Sequence, residues 1–169
     1  MRPSDYGARH KIGGRPCDVP HVIFRHRTER NIMPNFIARI LDWPWFPLVA
    51  RIVLTFPFWG SGLAKLIDFQ GGVAEMQQFG LKPPVLINIL VIFTQLGGSL
   101  IIIANRRTWS GAGALAIFTL LTIPIAHDFW NLKGEAAKLE FFFAVEHIAL
   151  IGGLMLAAIL SRYSPRNGA

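Results

Sequence analysis

Residues 84–105 read PVLINILVIFTQLGGSLIIIAN, twenty-two positions without a charged side chain. A helix rises about 1.5 Å per residue, so about twenty apolar residues cover the ~30 Å hydrocarbon layer of a membrane. Lipid offers no hydrogen bonds, and a helix satisfies every backbone N–H and C=O within its own segment, so this stretch reads as a spanning helix. Residues 109–126, WSGAGALAIFTLLTIPIA, are also uncharged and read the same way. Working outward, 45–66 and 141–161 are two further candidates. The first carries Arg51 and Lys65, has Pro44 and Pro47 at its start, and is expected to kink at Pro57; the second carries Glu146 and His147. The expected fold is all-α, an integral membrane antiparallel four-helix bundle preceded by a short amphipathic helix.

Composition points the same way. With 52% hydrophobic residues, 16% charged and a mean hydropathy of +0.41, the 169-residue chain is too apolar for an ordinary soluble domain. Its charges are crowded at the front, where residues 1–42 hold eight basic and four acidic side chains. Residues 1–30 read as a basic, largely irregular cytoplasmic tail. In 31–42, Ile32, Phe36, Ile37, Ile40 and Leu41 recur at helical spacing and form the amphipathic interfacial helix. The four-span domain covers 43–162, and 163–169 is a short tail. No secretory signal peptide is expected, since the first long apolar run begins near Trp43, and the sequence leaves open a start at Met1 or at Met33.

Several classes fall away. One cysteine, Cys17, makes no internal disulfide, and the sequence has neither zinc-type Cys/His spacing nor a phosphate-cradling glycine loop. The sequence pI of about 10.3 reflects the tail and the loops, so nucleic acid is not an expected partner.

Lysine and arginine placement sets the orientation. The head, the Asn105-Arg106-Arg107 link and the end after span four are basic, whereas the links 68–83 and 127–140 hold three lysines against five acids. The positive-inside rule puts both termini and the Arg106-Arg107 turn in the cytoplasm, with the chain a multi-pass protein of the inner (cytoplasmic) membrane. Trp43, Trp45 and Trp109 then serve as interfacial anchors together with Arg51, which snorkels to the headgroups. Small residues at Gly60 and Ala64, Ala112 and Ala116, Ala149 and Gly153, Gly153 and Ala157, and Gly97-Gly98 are expected to bring the helices close.

Ionisable groups inside a membrane are functional candidates by default. Lys65, His127, Asp128, Glu146 and His147 arrive from three spans at similar depth on the non-cytoplasmic side, with Trp130 at the rim and Gln95 deeper on span two. One reading is structural, in which Lys65 pairs with Glu146 and the histidines bond to carbonyls or water. A second is a small redox ligand of quinone type, held by these donors against aromatic walls. A metal bound by His127, His147 and carboxylates is weaker, because Glu146 and His147 are adjacent and point about 100° apart on a helix; no metal site is assigned.

The order Arg51, FWGSGLAKL, the GLKPP link, QLGGSLIII, Arg106-Arg107, HDFW and EHIALIGGLML resembles the DoxX family of small bacterial and archaeal membrane proteins, over about positions 48–160. The basic head has no counterpart in the family pattern, and Gln95 stands where many members carry Glu. The resemblance implies a four-helix membrane fold and a link to redox complexes, the namesake being a subunit of a thiosulfate:quinone oxidoreductase. It carries over Lys65, Gln95, His127 and His147 as site positions. The first functional expectation is an integral membrane subunit of a redox or respiratory assembly that holds a quinone or docks a partner oxidoreductase. With no CxxCH, flavin fingerprint or cysteine pair, the chain is not expected to be a complete enzyme. The alternative is a small carrier or maturation factor for a metal or organic solute, flexing at Pro57 and Gly97-Gly98. The expected partners are the bilayer, a redox protein and a second copy of the chain; a quinone is the one candidate cofactor.

Overall fold

The computed structural model describes residues 34–163, so the basic tail over 1–30, the beginning of the interfacial stretch and residues 164–169 lie outside the described residues. Six helices and no strand occur among the described residues: α1 Asn35–Leu41, α2 Phe46–Ile67, α3 Phe69–Gln78, α4 Pro84–Ile103, α5 Thr108–Ala126 and α6 Gly134–Tyr163. Four of them, α2, α4, α5 and α6, are long and apolar enough to cross a membrane. Helix α1 falls within the stretch read as interfacial and buries none of its residues.

Two elements depart from the sequence expectation. Helix α6 starts at Gly134, well before the apolar run, because the charged segment EAAKLE over 135–140 consists of good helix formers and adds a Glu135–Lys138 ion pair at 2.7 Å. Its thirty residues make it about 45 Å long, more than the hydrocarbon needs. Helix α3 lies in a link whose apolar signal is weak. The chain turns sharply at Asp68, whose side chain accepts from the Gly71 N–H at 2.9 Å and so caps the new helix. At the far end Gly80, at φ +70°, sends its N–H to Gln77 while the Leu81 N–H reaches the Met76 carbonyl, the bond pair that closes a helix through a left-handed residue. Asn105, at φ +53°, ends α4 in the same way, through Ile102 and Ile101.

Helix α4 packs between α2 and α5, α6 packs on α5, and α2 meets α6 more sparsely. Close approach depends on glycines that face a neighbour. A Cβ on Gly62 would stand 2.9 Å from Leu96, and one on Gly111 would stand 2.8 Å from the Gly98 backbone carbonyl. Gly153 of α6 meets Leu54 of α2 in the same fashion. Two expected contact points are corrected: Gly97 faces open space, and a Cβ on Gly60 would touch only Phe56 of its own helix. Proline 57 sits inside α2, which continues across it from Phe46 to Ile67.

The interior is small, built on Phe58, Ile102, Ala112, Leu115 and Leu154. Thr55, Asn88, Gln95, Ser99 and Thr119 are buried beside them, while Phe93, Leu100, Ile117, Ile148 and Leu160 point outward. A surface this apolar around a partly polar core suits lipid and not water.

Candidate functional site

Lys65 stands near the end of α2, where the turn at Asp68 folds α3 back over the bundle. Its Nζ lies 2.8 Å from Glu75 Oε2 on α3 and donates to Ser61 Oγ at 3.4 Å. The Ser61 oxygen also accepts from Gln95 Nε2 of α4 at 3.3 Å. An ammonium has three N–H donors, so this geometry leaves one of them over. Gln95 is buried, and its Oε1 has no hydrogen-bond partner among the described residues. The expected pairing of Lys65 with Glu146 is corrected: Glu75, carried on the unforeseen α3, takes the lysine, while Glu146 is exposed on α6.

The second group joins α5 to α6. His127 caps α5, and its Nδ1 lies 2.8 Å from Glu140 Oε2. His147 Nδ1 lies 2.7 Å from the Phe143 carbonyl one turn back. Carbonyl and carboxylate oxygens only accept, so both histidines carry a proton on Nδ1, and in the neutral ring Nε2 is left as an acceptor. The two imidazoles meet edge to face with centroids 4.6 Å apart, and the Phe143 ring lies 5.7 Å from that of His127. The expectation that His127 bonds to a carbonyl or water is corrected to this carboxylate pairing.

Both groups share one end of the bundle. Phe58 of α2 and Phe118 of α5 meet across the core at 6.5 Å, and Lys65 and His127 lie seven and nine residues beyond them, about 10 and 14 Å along their helices. Gln95 sits deeper, eleven residues into α4 from Pro84. The other expected residues are not drawn in. Asp128 accepts from Asn131 Nδ2 at 2.8 Å in the α5–α6 turn, and Trp130 is exposed against Phe129. Trp43, Trp45 and Trp109 are all exposed, and Arg51 is half-buried. No cluster of three or more His, Cys, Asp or Glu suited to a metal occurs among the described residues.

Sequence reasoning missed Glu75, Glu140, Ser61, Asn88 and Ser99. Asn88 donates to the Phe69 carbonyl at 3.3 Å and so ties α3 to α4, while Asn88 Oδ1 and Ser99 Oγ, like Gln95 Oε1, have no partner among the described residues. The signal was available: Asn88, Gln95 and Ser99 are seven and then four residues apart in an otherwise apolar run, one inward stripe of a helix. A cavity of about 520 Å³ at the α3–α4 turn, lined by Gln77, Gly80, Leu81, Lys82, Pro83 and Pro84, includes none of the clustered residues.

Four apolar crossings around a partly polar interior, with ionisable groups gathered at one end, define a helical-bundle integral membrane protein. The chain belongs to the DoxX family, whose model matches residues 46–128. It is 27% identical to the inner membrane protein YphA of Escherichia coli K12 over 116 residues, 69% of this chain and 83% of that protein. It is 32% identical to the inner membrane protein YqjF of the same organism over 112 residues, 66% of this chain and 81% of that one. No solved structure matches it. The family match spans α2 to α5 and takes in Lys65, Gln95 and His127, whereas His147 on α6 joins them through its packing on His127.

Proposed function

We propose that the chain is an inner-membrane subunit of a redox or respiratory assembly, and that the Lys65, Gln95, His127 and His147 end of the bundle holds a quinone against a partner oxidoreductase on the non-cytoplasmic side. The observation that supports this most is the set of free hydrogen-bonding atoms. Among the described residues, Lys65 has an N–H to spare for a quinone carbonyl, while Gln95 Oε1 and the two histidine Nε2 atoms have no partner and could accept from quinol O–H groups. Phe143, beside His127, supplies apolar surface. Reducing a quinone to a quinol takes up two electrons and two protons. The chain carries no sequence signature of an electron carrier, so the electrons come from the partner. The redox link of the DoxX family agrees with this assignment.

The test is quinone reduction by isolated membranes carrying Lys65→Gln, His127→Gln or His147→Gln, with assembly followed in parallel. A tenfold or greater loss of rate with the complex intact is expected. Unchanged rates in all three variants would refute a quinone site here. Loss of metal or solute accumulation in their place would favour the carrier reading, whose flexible point at Gly98 is instead wedged against Leu115 and the Gly111 backbone.

A further inference from the structure

At the opposite end of the bundle, beside the Gly153–Leu54 contact, a cavity of about 340 Å³ is lined by residues of α2 and α6. Its walls include Arg51, Leu54, Asn105, Leu156, Ala157 and Leu160. Among the described residues Arg51 has no carboxylate within salt-bridge distance. The guanidinium therefore lines a recess between two spans without a counter-ion among the described residues, five residues or about 7.5 Å along α2 from Phe46. A cation at that depth is within reach of the headgroup region and is stabilised by an anion supplied there.

We infer that this recess is a binding site for an anionic phospholipid, with the phosphate diester on Arg51 and the start of an acyl chain along Leu54, Leu156 and Leu160. Arginine is suited to the task because its planar fork of donors matches a phosphate and it stays charged. Asn105 adds a second donor. Its Oδ1 already accepts from Thr108 Oγ1 at 3.2 Å, which orients the amide and leaves Nδ2–H for the headgroup. Ser161 contributes no donor, since its hydroxyl is committed to the Ala158 carbonyl at 2.7 Å. Exposed Arg106, Arg107 and Arg162 stand at the same end of the bundle, where a basic rim concentrates anionic lipid. The cavity lies at the small end of the range for ligand sites, enough for the headgroup-proximal part of a lipid whose tails run on into the bilayer. Arg51 is thus a lipid ligand as well as the anchor that its position in the sequence implies. The site is remote from the Lys65 and His127 end and does not depend on the function proposed for it.

The experiment is native mass spectrometry of the full-length protein in neutral detergent, with added phosphatidylglycerol, phosphatidylcholine or inorganic phosphate. At least fivefold greater retention of phosphatidylglycerol than of phosphatidylcholine is expected. Arg51→Gln should abolish that preference and Arg51→Lys should restore part of it. Ala157→Phe, which fills the recess and leaves the charge in place, should also abolish it. Equal retention of the two lipids by the wild type, or an unchanged preference in Arg51→Gln, would overturn the proposal. Inorganic phosphate retained as well as phosphatidylglycerol, or displacing it, would make this a free-anion site and overturn the lipid assignment. The wild-type comparison stands even where a variant does not fold.

Discussion

His127 at the end of α5 and His147 within α6 meet edge to face at 4.6 Å, each fixed by an Nδ1–H bond, the first to Glu140 Oε2 and the second to the Phe143 carbonyl. Two imidazoles from consecutive spans are thereby held in one orientation, with both Nε2 atoms uncommitted among the described residues. The α5–α6 turn is tied down by the same contacts, since Glu140 belongs to the part of α6 that precedes its apolar run.

Removing the acceptor should therefore loosen the turn. Glu140→Leu leaves the His127 N–H without its partner and is expected to cost about 1–2 kcal/mol of stability, whereas Glu140→Gln keeps an acceptor and should cost less than half of that. Unfolding in detergent, followed by circular dichroism, measures both.

The Lys65–Glu75 pair predicts a coupling that the alternative partner lacks. A double-mutant cycle of Lys65→Met with Glu75→Gln should return about 0.5–1 kcal/mol, as for partly exposed ion pairs. The same cycle of Lys65 with Glu146 should return a value within about 0.3 kcal/mol of zero. A larger coupling to Glu146 would show that α3 does not sit as described.

The two glycine faces of α5 should respond in opposite ways. Gly111→Ala sets a methyl 2.8 Å from the Gly98 carbonyl, a backbone atom that cannot swing aside, and should destabilise the bundle by about 1–3 kcal/mol as α4 and α5 are pushed apart. Gly113→Ala meets nothing within 4 Å and is expected to be neutral or slightly stabilising. Thermal unfolding of the two variants side by side decides it.

Orientation is open to direct labelling. With Cys17→Ser as background, a cysteine at Asn131 should react with an impermeant maleimide added to the non-cytoplasmic face, and a cysteine at Asn105 only after the membrane is opened. The reverse pattern would invert the positive-inside reading of the Arg106-Arg107 turn.

The spans were legible because uncharged runs such as 84–105 have no other stable home, and the ends of α2, α4 and α5 were read to within two residues. What escaped was structure that hydropathy does not encode. Helix α3 has only ten residues and two adjacent glycines, so its apolar signal was weak; the cap at Asp68 was its one local mark. Missing α3 meant missing Glu75, and with it the true partner of Lys65. The opening of α6 was lost for a related reason, since Glu135, Lys138 and Glu140 exclude lipid but not helix, and the partner of His127 went with them. Lys65, Gln95, His127 and His147 were singled out from the cost of placing polar groups in a membrane. Glu146 satisfied that criterion equally, yet its place on the helix turns it outward, which depth alone does not reveal.

Purification of the tagged protein from its native membranes in mild detergent tests the redox-subunit proposal most directly, with extracted quinone quantified and co-purifying proteins identified by mass spectrometry. Near-equimolar quinone that falls at least fivefold in His147→Gln, together with an associated oxidoreductase, is the expected result. A wild-type protein recovered alone and free of quinone after gentle extraction would contradict it.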